Sequence, residues 1–111
     1  MIINVNYIQN VAIMSPIGKI TIGVGDVALR NKISELLDGG HKNIVANLSQ
    51  VSIIDSSGIG ELVNVYTTVS NQGGQFKLCA LPSKIHNLLV LTQLITVFEV
   101  FDTEEEAIFS F

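Results

Sequence analysis

Ile3, Val5 and Tyr7 alternate with Asn4 and Asn6, the period of two expected of a strand with one buried face. Gln9-Asn10 then supplies turn chemistry, and a second strand is expected over Val11 to Met14, bounded by Pro16 and Gly18. Because proline cannot donate to a ladder, Pro16 predicts a sheet edge or a bulge here. After Gly23-Val24-Gly25 the period changes. Leu29, Ile33, Leu36 and Leu37 recur at helical spacing, with Asp26 placed to cap the helix and Gly39-Gly40 to end it. Ile44, Val45, Ala46 and Leu48 form a nearly continuous apolar run of the kind buried on both faces of a parallel sheet, which predicts a central strand.

Ile53-Ile54 ends a run of aliphatics at a strand-to-helix corner, and Ser56 or Ser57 opens a helix with apolar positions Ile59, Leu62, Val63, Tyr66 and Val69. Gly73-Gly74 terminates it. Phe76 to Leu81 reads as a strand, and Pro82-Ser83 starts a third helix with Ile85, Leu88, Leu89 and Thr92 on one side. Val97 to Phe101 is expected as a last short strand, and Asp102 with Glu105 as a capping pair for a final helix carrying Ala107, Ile108 and Phe109. Strand, strand, helix, then three repeats of strand and helix, predicts an α/β fold. Its sheet is mixed but mostly parallel, with right-handed crossovers, an antiparallel hairpin at the start and about four helices. No linker or internal repeat divides the chain, so residues 1–111 are read as one domain.

Composition narrows the function classes. Apolar residues make up 48% and charged residues 14%, which excludes disorder. The net charge is -4 and the basic residues Lys19, Arg30, Lys32, Lys42, Lys77 and Lys84 are scattered, so no nucleic-acid partner is expected. Ile85 to Phe101 is the most apolar segment, but His86, Asn87, Gln93 and Glu99 interrupt it. It is also shorter than the roughly 20 residues of a spanning helix, so it reads as core and no membrane insertion is expected. Met1-Ile2-Ile3-Asn4 lacks the charge of a signal peptide, and a cytoplasmic location follows as the expectation. Cys79 stands alone among Phe76, Leu78 and Leu81 and reads as a buried, unreactive thiol.

The chemistry concentrates in Ile53-Ile54-Asp55-Ser56-Ser57-Gly58-Ile59-Gly60-Glu61-Leu62. A serine hydrolase would need Gly-x-Ser-x-Gly and a histidine base; the first glycine is missing, and His41 and His86 have no evident acidic partner. Two isolated histidines and one cysteine offer no metal-ligand pair, and no cofactor site is expected. Gly23-Val24-Gly25 lacks the third glycine of a dinucleotide loop and the lysine of a P-loop. Glu104-Glu105-Glu106 is explained by a helix N-terminus, where negative charge is favourable. A serine cap, worth about 1 kcal/mol, accounts for one of the two serines at the corner. The second hydroxyl, the acid and a glycine that lets another molecule approach exceed what a cap needs. Phosphate on Ser56 would add about -1.5 to -2 charges where a helix N-terminus accepts an anion, while a partner docked there would be repelled.

Asn47-Leu48-Ser49-Gln50-Val51-Ser52-Ile53-Ile54-Asp55-Ser56-Ser57-Gly58-Ile59-Gly60-Glu61-Leu62 resembles the signature of STAS domains, in particular bacterial anti-sigma factor antagonists. The resemblance continues through Gly73 to Leu78, the helix after Pro82 and Val97 to Phe101, and so covers nearly the whole chain. It implies the fold just derived and a non-enzymatic partner switch. The unphosphorylated protein binds an anti-sigma factor serine kinase, which releases a sigma factor, and a metal-dependent serine phosphatase reverses the kinase's work; ATP belongs to the kinase. The phosphorylated serine of the motif maps onto Ser56, with Asp55, Ser57 and Gly58 at the motif's acid, second hydroxyl and glycine. The expected partner-binding positions are Asp55, Ser56, Ser57, Gly58, Ile59, Glu61, Leu62, Thr21 and Asp26, within a surface made by Gly23 to Arg30 and Ser57 to Tyr66. Many members carry an acid where this chain has Thr21. The alternative is a STAS scaffold, or an accessory subunit of a signalling or transport assembly, that is never phosphorylated.

Overall fold

A computed structural model describes residues 1–111. In chain order the elements are β1 (Ile2–Ile8), β2 (Val11–Ile20), α1 (Gly25–Asp38), β3 (Asn43–Asn47), β4 (Val51–Ile54), α2 (Ser56–Asn71), β5 (Gln75–Cys79), α3 (Ser83–Leu91), β6 (Val100–Phe101) and α4 (Glu104–Phe109). The sheet runs β1-β2-β3-β5-β6, with β4 pairing β2 beyond the end of β3. β1 and β2 are antiparallel and every other pairing is parallel. This is the expected α/β architecture with its four helices, and β3 is central as expected. Gln9 and Asn10 both take positive φ (51° and 66°), the two-residue hairpin turn whose twist matches the flanking strands.

Three expected boundaries need correction. β2 does not stop at Met14 but runs to Ile20, with Pro16 buried inside it. Pro16 falls between two parallel ladders, Ala12 to Met14 with β3 and Gly18 to Ile20 with β4, so its missing N–H breaks neither. β4 is a strand of its own: the chain turns at Leu48–Gln50 and resumes along β2, the Val51 N–H donating to the Leu48 carbonyl at 3.1 Å. The last strand shrinks to Val100–Phe101, because the 3₁₀ turn over Leu94–Thr96 continues into a turn and bend at Val97 and Phe98. Ile85 to Phe101 is core only in part. Ile85, Leu89 and Phe98 are buried, whereas Leu91 is 81% exposed. No helix is long and apolar enough to cross a membrane.

The helices divide between the two faces of the sheet. On one face Leu29, Ile33 and Leu36 of α1, Leu62, Val65 and Val69 of α2, and Ile85 and Leu89 of α3 meet Ala12, Met14, Ile44, Ala46, Phe76 and Leu78. On the other, α4 lays Ala107 over Val11, Ile13, Val45 and Cys79. Residues of β2, β3 and β5 therefore alternate between two dry faces, which is why these strands read as continuous apolar runs. Burial pushes the Cys79 thiol up to about 12, as expected of an inert core cysteine.

Lys77 of β5 is buried in the second layer, where sequence patterning gave no sign of it. Its Nζ donates to the Ser110 carbonyl (3.0 Å) and Oγ (2.8 Å), pairs with Glu99 at 3.0 Å, and lies 4.3 Å from the Phe111 ring centroid. The lysine thus ties α4 and the chain end to the sheet. Lys77→Ala should cost about 2 to 4 kcal/mol in urea denaturation, since it removes charged hydrogen bonds and leaves a hole under α4.

Candidate functional site

β2 and β4 end side by side, and α1 and α2 both start against the end of β2. A Cβ at Gly25 would collide with the Lys19 carbonyl, and one at Gly58 with the Ile20 carbonyl. The two glycines let two helix N-termini converge on one strand end. Gly58 is therefore a packing residue rather than an opening to a partner, and the exposed glycine on this helix is Gly60, one turn after Ser56.

Neither serine caps α2; Asp55 does. Its Oδ1 accepts from the Gly58 N–H (2.9 Å), its Oδ2 accepts from the Ile22 N–H (3.1 Å), and its own N–H donates to the Ile20 carbonyl (3.3 Å). One carboxylate thereby caps the helix and clamps the loop after β2 beside it. The donated N–H groups of Gly58 and Ile22 hold the Asp55 carboxyl below the usual carboxylate value of 3.8. A depressed folded value contributes stability that is fully present above the unfolded value and is lost as pH falls through the folded one. An NMR titration should place the Asp55 midpoint below 3.8, with protection of the Gly58 and Ile22 amides fading over that same acid range.

With the cap supplied by Asp55, Ser56 stands exposed at the first position of the 16-residue α2, its hydroxyl not required by the fold. Ser57 is half-buried. Thr21 is half-buried and bends the neighbouring loop, its carbonyl accepting from the N–H groups of Val24 (3.0 Å) and Asp26 (3.5 Å). Because that turn already provides for the start of α1, Asp26 is not the cap; Val24 is, and Asp26 lies buried in the first turn with Oδ1 accepting from the Val27 N–H (2.7 Å). The expected Asp102 cap of α4 likewise moves to Thr103, whose Oγ1 accepts from the Glu106 N–H.

Ile59, Glu61 and Leu62 are buried. Ile59 and Leu62 belong to the core, and the Glu61 carboxylate accepts from Arg30 of α1 (2.8 and 3.1 Å) and from Asn64 (2.8 Å). The buried carboxylate also raises the Arg30 guanidinium further above its usual value. These residues, with Gly58, fix how α1 and α2 sit together and present no surface. Exposed apolar side chains stand on the loop after β2, which Asp55 clamps beside the corner, and on the start of α1. Ile22, whose N–H is held by Asp55, is 73% exposed, and Val24 (51%) and Val27 (41%) follow it. Val24 and Val27 fall within the expected docking segment Gly23 to Arg30, whereas Ile22 lies just before it, although Ile20-Thr21-Ile22-Gly23-Val24 carries the signal: apolar side chains in a glycine-containing loop.

No histidine approaches the corner as a base. The His41 ring packs on Tyr7 at 4.6 Å between centroids, beside the first hairpin, and His86 is exposed on α3. No group of three or more metal-ligating side chains occurs. A hollow of about 430 Å³ lies between β4 and α3, lined mainly by Ile53, Ile54, Ile85, Leu88 and Leu91. It is an apolar crevice without converging catalytic groups.

Residues 3–107 match the sequence profile of the STAS domain. A Thermotoga maritima protein classed as an anti-sigma factor antagonist is 31% identical over 90% of this chain and 88% of its own. The crystal structure of a protein from that organism classed in the same way superposes with a TM-score of 0.89 at 29% identity, covering 97% of this chain and 92% of the other. The phosphorylated form of the Bacillus cell-fate determinant SpoIIAA shares the fold with a TM-score of 0.73 at 21% identity, over 96% of both chains. Members of this family are regulatory binding proteins rather than enzymes, and this chain belongs to it: it is a STAS domain of the anti-sigma factor antagonist type.

Proposed function

We propose that this protein is a phosphorylation-controlled antagonist. Unphosphorylated, it binds an anti-sigma factor serine kinase in the cytoplasm and frees a sigma factor; phosphate on Ser56, placed by that kinase and removed by a serine phosphatase, breaks the complex. The observation that carries this reading is the division of labour at the corner. Asp55 alone caps α2, which leaves Ser56 exposed and unneeded by the fold at a helix N-terminus, while the other Asp55 oxygen holds the neighbouring loop, on which Ile22 is exposed, followed by exposed Val24 and Val27. The patch offers a partner apolar contact, and a dianion on Ser56 would keep that contact wet. The helix dipole and its free N–H groups hold the phosphate without strain on the fold.

Titration calorimetry with the cognate kinase tests this. The unphosphorylated protein should bind, the phosphorylated protein should bind at least about thirtyfold more weakly, and phosphatase treatment should restore the affinity. A complex indifferent to phosphatase would instead support a scaffold or accessory subunit. Val24→Asp should weaken binding by about tenfold or more without unfolding the chain, since Val24 is exposed.

A further inference from the structure

β1 is the outermost strand and pairs only with β2. Its seven residues include no charge, proline or glycine, so it lacks the devices that keep an edge strand from pairing with another chain. Ile2 (65%), Tyr7 (58%) and Ile8 (44%) are exposed, and so are Asn4 and Asn6. The strand reads Ile2-Ile3-Asn4-Val5-Asn6-Tyr7-Ile8, a palindrome in chemical class about Val5. Asn4 mirrors Asn6, Ile2 mirrors Ile8, and the large apolar Ile3 and Tyr7 mirror each other.

We propose that β1 is a self-pairing edge: two copies join β1 to β1 antiparallel about a two-fold axis at Val5, so that one sheet runs through both molecules. Mirror symmetry is what selects a second copy as the occupant. In an isologous contact residue i meets j and j meets i, and about Val5 this pairs like with like at every position, a match that a strand from a different protein would not require of β1. The register follows. Ile3 and Val5 pack toward the main core, so the pairing must keep odd residues opposite odd ones if the helices of both copies are to stay on matching faces. Registers centred on Asn4 or Asn6 satisfy that rule but set Ile2 against Asn6, or Asn4 against Ile8. The Val5 register alone sets isoleucine on isoleucine and amide on amide. A seven-residue edge is a small interface, so the dissociation constant should lie between about 10 μM and 1 mM. Each copy carries a net charge of -4, and the association should strengthen with salt as that repulsion is screened.

Sedimentation and crosslinking test the proposal. The wild-type protein should pass from monomer to dimer over that concentration range. Asn4→Lys/Asn6→Lys should weaken dimerisation at least about tenfold, and an equal mixture with Asn4→Glu/Asn6→Glu should restore it. Both positions are exposed, and circular dichroism verifies that the variants fold. Under oxidised glutathione Val5→Cys should crosslink, because directly opposed Cα atoms lie about 4.5 to 5.5 Å apart, within disulfide reach. Asn4→Cys alone should crosslink far more slowly, its two copies lying about 8 Å apart, but readily with Asn6→Cys. Cys79 is buried and takes no part. A wild-type monomer up to about 1 mM, a double-lysine variant that dimerises undiminished, or Asn4→Cys linking as fast as Val5→Cys would each overturn the proposal.

Discussion

Gly58→Ala should destabilise the protein by about 3 kcal/mol, although Gly to Ala within an unobstructed helix stabilises by up to about 1 kcal/mol. The sign is decided by what the new methyl meets. At Gly58 it meets the Ile20 carbonyl and the Ile54 and Ile20 side chains, and the first of these is backbone held in the pairing of β2 with β4. Relief requires α2 to lift from the strand end, which strains the Asp55 cap and disturbs the burial of Ile59 and Leu62. Overpacking of this kind costs about 1 to 3 kcal/mol, and the backbone contact puts this case at the upper end. Against a typical domain stability of about 5 to 15 kcal/mol the loss is large. Gly60→Ala is the control on the same helix. Nothing lies within 4 Å of its added methyl, so that variant should gain about 0.5 to 1 kcal/mol. Urea denaturation of the two variants should therefore move the midpoint in opposite directions.

Ser56→Asp should lower affinity for the kinase by at least about thirtyfold, or about 2 kcal/mol, while leaving stability unchanged or slightly raised. The two effects separate because they come from different neighbours. Toward the fold, the side chain sits in the first turn of α2, where a negative charge is worth about 0.3 to 1 kcal/mol in stability. Toward a partner, it would place a desolvated charge beside Asp55, whose carboxylate holds the loop of the exposed Ile22. Ser56→Ala removes neither the cap nor the patch and should bind as the wild type does. Thermal melting alongside calorimetry distinguishes a lost contact from a lost fold.

The fold was legible wherever one periodicity ran unbroken. The alternation of Ile3, Val5 and Tyr7 marked β1, and the run from Ile44 to Ala46 marked the central β3. Elements failed to show where two demands met in a few residues. β4 is four residues long and its adjacent Ile53 and Ile54 obscure the period of two, so it reads as part of the corner. Pro16 looks like a strand terminator because the gap between two ladders that tolerates it exists only in three dimensions. Lys77 and Glu61 look like surface residues because the partners that allow their burial, Ser110 and Arg30, are more than thirty positions away.

At the candidate site, sequence placed the strand-to-helix corner but misassigned the cap and the side of α2 that faces solvent. Either serine fitted a cap by type, yet the carboxylate of Asp55 places one oxygen on the Gly58 N–H of α2 and the other on the Ile22 N–H of the loop, spanning two segments that a single hydroxyl oxygen would have to reach from one point. Helical spacing made Ile59, Glu61 and Leu62 neighbours of Ser56 without saying which side of α2 faced the sheet. Their burial leaves Ser56, Gly60 and the Ile22, Val24 and Val27 patch as the surface.

The most direct test of the switch is to incubate the wild-type protein with its cognate kinase and ATP and map the product by mass spectrometry. A single phosphate on Ser56, absent from Ser56→Ala and accompanied by release of the kinase, is the predicted result. An active kinase that leaves Ser56 unmodified, or modifies Ser57 instead, would contradict the account.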